Sequence, residues 1–385
     1  MRILLRAACL ALTVALGLGG CATDLPGPPR PTSETPQATS TPGPTPQPTA
    51  KATVQTDVGD IPTYWEPKVT TGPKGPTISQ FETLVKRSNL SATLNGAPAG
   101  HQVALRAGIY TFTDFDAGTG GTWNGVAAWI TGLRGSGVGR TVLQMKAHTS
   151  TKKAMIPRAF PATNQLSLVR LTGDDLTVSG FTLRGTNQGH LYNGLRIDHA
   201  DRLDVHDVKV QGVPGSSSSP PGETFGLNDY RTNGSVYTRV EVDGAGVGGA
   251  GFGANVSKNI TIRDSYFHDN RYSMGATFWE VQGITLIDTI ATDNGRVGIN
   301  LERVSGAVRM VRPVLLGNHQ GPIRIASDRG SAKVTIVDPV FSGSHFTVVL
   351  PRTYYDRPNL QRRSDVHLIV HGQDRTEQLV RFIGD

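Results

Sequence analysis

The chain has 385 residues, 46 of them glycine and 24 proline, and only 18% are charged. Such usage implies many turns and few amphipathic helices. A formal charge of +7, which falls to +5 without Arg2 and Arg6, is too mild and too dispersed to point to nucleic acid.

Arg2 and Arg6 form a positive n-region ahead of a short apolar stretch at 7–18. That stretch is too short for an ordinary membrane span and has the layout of a secretory signal. It ends Leu18-Gly19-Gly20-Cys21, which resembles the lipobox of bacterial lipoproteins. The resemblance implies cleavage after residues 1–20, a diacylglyceryl group on the Cys21 sulfur, and export to the outer face of the cell membrane. Two or more acyl chains give stable attachment. Cys9 leaves with the signal, so Cys21 is the one remaining cysteine and no internal disulfide is expected. Nine prolines fall within 26–50, and residues 21–56 predict the lipidated cysteine followed by a Pro/Thr-rich disordered linker. At ~3.1 Å per residue it would hold the rest up to roughly 80 Å from the lipid.

Residues 57–146 predict an N-terminal cap and first coils. Phe81, Leu84 and Val85 have helical spacing, while 103–112 alternates like a strand. Residues 128–145 read strand, glycine-rich turn, strand. The turn Gly135-Ser-Gly-Val-Gly lacks the Gly-Lys-Ser/Thr ending of a phosphate loop, which argues against nucleotide binding.

From 147 to 344 one motif recurs. Gly226-Leu-Asn-Asp-Tyr, Gly251-Phe-Gly-Ala-Asn, Gly275-Ala-Thr-Phe-Trp, Gly298-Ile-Asn-Leu-Glu and Pro322-Ile-Arg-Ile-Ala start 25, 24, 23 and 24 residues apart. A fixed period of this size is a solenoid signature. Each unit carries a second alternating run, such as Ile260-Thr-Ile-Arg-Asp-Ser-Tyr-Phe or Ile284-Thr-Leu-Ile-Asp-Thr-Ile-Ala. No unit has room for a crossover helix, so each strand must pair with its copy one turn later. The predicted fold is all-β, a parallel β-helix with about 24 residues per coil and caps at both ends, the C-terminal one at 345–385. These runs resemble the right-handed, pectate-lyase-like β-helices. Asn270, Asn294 and Asn318 recur at intervals of 24 and predict an amide ladder inside a turn.

Residues one and three after each start are apolar, as with Phe252 and Ala254, and point inward. Residues two and four then face out. One outward column is Arg196, Asn228, Gly253, Thr277, Asn300 and Arg324; the other is Asp198, Tyr230, Asn255, Trp279 and Glu302. Aromatic faces stack on sugar rings, and Asn, Asp and Arg meet hydroxyls and carboxylates. The substrate-binding candidates are therefore Arg196, Asn228, Tyr230, Asn255, Trp279, Asn300, Arg303 and Arg324. The alternative is an ordinary solvated sheet face. Glycoside hydrolysis needs two carboxyl groups about 5 to 9.5 Å apart. Two candidate clusters qualify: Asp198 and Asp229, beside His199 and Tyr230, and Glu280 and Glu302, beside Trp279 and Arg303. Asp229 breaks the inward apolar pattern, so either its strand slips by one or the residue is special.

A polysaccharide lyase would use calcium and an Arg or Lys base, but no dense carboxylate triplet is evident, and no other metal or cofactor is expected. The residue set of polygalacturonases is absent, since Gly189-His190-Leu191 is half of its histidine motif. His268 reads as a turn residue. Residues 163–195, with Gly222-Glu-Thr-Phe and Val242-Asp-Gly-Ala-Gly-Val-Gly, resemble β-helix proteins of actinobacteria and their phages. Two functions follow. One is a surface-anchored β-helix lipoprotein that binds, and in one version cleaves, polysaccharide. The other is a non-catalytic adhesion module for a protein partner, or a phage-tail-like recognition protein.

Overall fold

Each coil is three short strands separated by tight corners, as in Met274–Trp279, Gln282–Ile287 and Ile290–Thr292. Coil strands pair in parallel with their counterparts one coil away, so Met274–Trp279 lies between Ala250–Asn255 and Val297–Glu302. The computed structural model describes residues 102–112, 126–145, 167–185, 193–213, 224–245, 249–326, 332–350 and 366–384. All of these belong to the unit Lys51–Asp385. The signal, Cys21, the linker and the helical pattern at Phe81 lie outside the described residues.

The first strands of the coils form a ten-stranded sheet, and the second and third form a seventeen-stranded one that folds over a corner. Val236–Asp243 crosses that corner unbroken, pairing with Lys258–Arg263 before it and Tyr266–His268 after it. The fold is the parallel β-helix expected from the period. Its sheets run further than 147–344. Gln102–Ala104 and Gly108–Phe112 already pair in parallel with Gly132–Arg134 and Thr141–Met145, and Phe346–Leu350 and Val380–Gly384 continue the ten-stranded sheet. The period is missed there because longer connections interrupt it. The chain closes with an antiparallel pair, Val366–Val370 and Gln373–Asp374, and a one-turn helix, Thr376–Leu379. Among the described residues no helix is long and apolar enough to cross a membrane.

Inward residues make one continuous core from Val103 to Leu368. At its centre Phe252 packs against Tyr237, Phe267 and Phe278 with ring centroids 4.9, 5.5 and 5.9 Å apart. Such pairs add about 0.5–1.5 kcal/mol each beyond area burial.

The asparagine ladder forms as expected. The Asn270 amide donates to Asn294 Oδ1 and the Asn294 amide to Asn318 Oδ1, both at 2.8 Å. At one end Asn270 Oδ1 accepts from Ala245 N at 2.8 Å, and at the other Asn318 Nδ2 donates to Ala291 O at 2.8 Å. The ladder also explains the motif glycines. A Cβ on Gly251, Gly275 or Gly298 would lie 2.7, 2.8 or 2.8 Å from the side-chain nitrogen of Asn270, Asn294 or Asn318. Glycine starts these coils because an amide lies against its backbone.

The corner after each first strand is a left-handed residue: His199, Arg231, Val256, Glu280 and Arg303 have φ between 52° and 56°. Non-glycine residues reach this region at a cost, greatest for a β-branched one such as Val256. Each offsets it by donating its N–H to the next coil, as from Val256 to Trp279 O at 2.8 Å and from Glu280 to Glu302 O at 2.9 Å.

Candidate functional site

The two outward columns stand in the expected register: Arg196 opposite Asn228, then Gly253, Thr277, Asn300 and Arg324, and Asp198 opposite Tyr230, then Asn255, Trp279 and Glu302. Their accessibility differs from the expectation of one displayed face. In the first column Arg196, Asn228 and Asn300 are only 1–2% exposed. Their polar groups are spent on one another. Asn228 donates to Asn193 Oδ1 at 3.3 Å and accepts from Asn255 Nδ2 at 2.8 Å, while Asn300 donates to Thr277 Oγ1 at 2.8 Å and accepts from Arg324 Nη1 at 3.1 Å. Over Gly253 the space is filled by the Phe225 ring, with which any Cβ there would collide. The second column stays half-exposed at Tyr230, Asn255, Trp279 and Glu302.

The first proposed carboxyl pair does not form. Asp198 faces outward but is buried, held by Arg170 Nε and by Arg196 Nε at 2.7 Å. Burial lowers the Arg170 pKa, against the opposing pull of Asp198. Asp229 sits on the other side of the strand, opposite Ile197 and Ala254, fully buried inside the coil. Its strand does not slip. A cage of hydroxyls accounts for it: Thr232, Tyr237 and Ser257 all donate to its carboxylate, the last at 2.7 Å. Burial pushes the Asp229 pKa up, although these donors pull the other way. Burial and the neighbouring Asp229 also push Tyr237 well up. Asp198 and Asp229 thus lie on opposite sides of the sheet, and a substrate on the outer face would not meet both carboxyls. Tyr230 has guanidinium carbons of Arg196 and Arg231 over its ring at 4.8 and 5.1 Å, and His199 meets it edge-on at 6.0 Å.

The second cluster does form. Arg303 Nη1 donates to Glu280 Oε1 at 3.1 Å, and its guanidinium lies over the Trp279 ring at 5.8 Å. Arg324 Nη1 approaches Glu302 Oε2 at 3.8 Å. Side-chain exposures of Glu280, Arg303, Glu302 and Arg324 are 30, 27, 26 and 16%. An indole, two carboxylates and two guanidiniums thus come together on three consecutive coils, each about 4.8 Å from the next. With Tyr230 and Asn255 they lie on the outer face of the ten-stranded sheet, at the C-terminal ends of its central strands.

A second polar network, on the seventeen-stranded sheet, had no sequence signal beyond His268. Lys209 Nζ lies 2.7 Å from Glu241 Oε1 and 3.2 Å from Asp243 Oδ2. His268 is in a strand, with Nε2 3.1 Å from Glu241 Oε1 and Nδ1 2.7 Å from Asp269 Oδ2. Burial lowers the His268 pKa, but Glu241 and Asp269 outweigh it and the net shift is upward. Lys209 and Glu241 come from coils 32 residues apart, a spacing the 24-residue period hides. At the fold of the same sheet the left-handed residues Asp207, Arg239, Asp288 and Arg312 form bidentate pairs, Arg239 on Asp207 at 2.7 Å and Arg312 on Asp288 at 2.6–2.7 Å.

Residues 193–351 match the family described as a right handed beta helix region, which gives the solenoid its expected hand. No curated protein matches the chain. Among solved structures, the A-module of the Azotobacter vinelandii mannuronan C-5 epimerase AlgE6 is 12% identical with a TM-score of 0.38, over 77% of this chain and 91% of that one. Pectate lyase Pel9A is 13% identical with a TM-score of 0.41, over 73% and 71%. The enzymatically active domain of bacteriophage CBA120 tailspike protein 2 is 11% identical with a TM-score of 0.38, over 72% and 48%.

Proposed function

We propose that this chain is an exported β-helix lipoprotein, tethered to the outer face of the cell membrane through Cys21, that binds polysaccharide along the outer face of its ten-stranded sheet, at the C-terminal ends of the strands. The observation that carries the reading is the half-exposed column Tyr230, Asn255, Trp279 and Glu302, in register on consecutive coils and flanked by Arg303 and Arg324. A polymer lying along the solenoid axis would meet one rung per coil. Trp279 supplies an apolar face for a sugar ring, while Asn255, Glu302 and the two guanidiniums meet hydroxyls. Tyr230, whose ring already carries two guanidiniums, acts as their platform.

Cleavage is the second reading, favoured by the placement of Glu280 and Glu302 on adjacent coils beside Trp279. A glycan array with the soluble chain tests the first reading, and reducing-sugar and unsaturated-product assays on the polysaccharides that bind test the second. Weaker binding by Trp279→Ala is expected. Binding to no glycan would overturn the proposal and favour a protein partner; product formation that survives Glu280→Gln and Glu302→Gln would remove that pair. Cys21→Ser should move the protein from the membrane fraction to the soluble exported one, and an unchanged distribution would refute the anchor.

A further inference from the structure

We propose that Glu241, Asp243 and His268 form a binding site for a divalent transition-metal ion of the zinc class, with Lys209 as the built-in cation that leaves when the ion enters. The site lies on the seventeen-stranded sheet and is independent of the polysaccharide reading.

Asp243 and His268 are register partners on neighbouring coils, and Glu241 is two residues before Asp243 on the same face. Each offers one ligand atom, and these atoms all lie within 4.8 Å of one another. Zinc bonds of about 2.1 Å in tetrahedral geometry need ligand atoms roughly 3.4 Å apart. Nε2 of His268 and Oε1 of Glu241, 3.1 Å apart, are already there, and a rotamer adjustment of the quarter-exposed Asp243 closes the set.

Two further observations point to a cation. The first is Lys209: its ammonium lies between Glu241 and Asp243 at 2.7 and 3.2 Å, so the pocket is built around a positive charge. That charge sits on a flexible stem and is itself a quarter exposed, so it can swing out. The second is the support of His268. Asp269 Oδ2, 2.7 Å from Nδ1, directs Nε2 toward Glu241, and the Tyr266 ring stacks on the imidazole at 3.8 Å and 15°. A carboxylate behind a ligating histidine orients the ring and raises its basicity toward a metal. The Asp207–Arg239 and Asp288–Arg312 pairs offer nothing comparable, since each carboxylate is already engaged by two guanidinium nitrogens.

One imidazole and two carboxylates, with water completing the shell, suit zinc better than calcium or magnesium, which prefer all-oxygen sets. The ion would join Val236–Asp243 to Tyr266–His268 across two coils.

Isothermal titration of the full chain with zinc chloride, and separately with calcium chloride, tests the proposal. One zinc per chain and no calcium at the same site are expected. Lys209→Met should bind zinc about tenfold more tightly, because the competing cation is gone, and Asp269→Asn about tenfold more weakly. His268→Asn should lose the site, and zinc should raise the thermal midpoint of the wild type but not of this variant. Should His268→Asn fail to fold, Asp269→Asn, altered at an exposed carboxylate, decides the same question. No zinc binding by either the wild type or Lys209→Met overturns the proposal, as does unchanged binding in His268→Asn or, in its place, Asp269→Asn.

Discussion

Replacing Asn294 with alanine removes the middle rung of the turn ladder. The side chain accepts from the Asn270 amide at 2.8 Å and donates to Asn318 Oδ1 at 2.8 Å and Phe267 O at 3.1 Å. Three such bonds contribute about 1 kcal/mol each, and stranding the buried Asn270 amide and Phe267 carbonyl costs about 1–2 kcal/mol more. The expected loss is therefore about 4–5 kcal/mol. Asn294→Asp keeps the shape and the acceptor for Asn270 but turns an oxygen toward two other oxygens, so it should be at least as damaging. Asn318→Ala, at the less buried end of the ladder, should cost about half as much because water can replace part of it. Urea unfolding followed by circular dichroism gives the global value. Because a solenoid can open locally, hydrogen exchange at residues 267–299 gives the local one. A loss below about 1 kcal/mol for Asn294→Ala, or a tolerated Asn294→Asp, would refute the view that the amides hold these turns together.

The other predictions concern charge and the half-exposed outward column. Asp229 has a folded pKa raised by burial, so the folded state holds its proton at pH values where the unfolded chain has released it. Stability should therefore fall as pH rises from about 4 through the raised folded value, and Asp229→Asn, which cannot ionise, should flatten that slope in denaturant midpoints; an unchanged slope would contradict the dominance of burial over the hydroxyl donors. Burial pushes Asp207 up, but Arg239 and His206 outweigh it and take the pKa down to about 2. Its contribution, about 1 kcal/mol after allowing for solvent, is present above the unfolded value and should be lost as pH falls from about 4 toward 2. Asp207→Asn should lose that part of the acid transition. Trp279→Ala should weaken retention on the cognate polysaccharide about tenfold, as expected for one stacking contact, while leaving the thermal midpoint within a few degrees; unchanged retention would move the site elsewhere.

The architecture was legible because three independent periodicities agree: the glycine starts, the alternating runs and the turn asparagines. The structure adds why the first and third travel together, since each ladder amide occupies the space a Cβ on the glycine would take. The candidate site was legible only in part. Alternation places Asp198 and Trp279 on the same outward column, yet cannot show that Arg170 and Arg196 close over one and leave the other half-exposed. The Asp229 irregularity was visible as a break in pattern, but its explanation needed Tyr237 and Ser257, which reach it from a later strand and from the next coil. The Lys209, Glu241 and His268 group escaped because the coils that bring it together are of unequal length, 32 residues from Lys209 to Glu241 and 25 from Asp243 to His268.

The glycine and asparagine lock also bears on how such a chain can change its length over evolutionary time. A deletion of residues 271–294 would leave Asn270 where Asn294 now stands, ready to donate its amide to Asn318 Oδ1, and would keep Gly251 and Gly298 in phase. A deletion that is not a whole coil would put a side chain where a glycine now stands, against an amide. Growth and shrinkage here are therefore quantised in whole coils of about 4.8 Å, so duplication tunes the length of the outward column while point substitution tunes what each rung meets. The coil holding Asp229 is an exception. Its carboxylate draws hydroxyls from two coils at once, so it cannot be copied or lost without its neighbour.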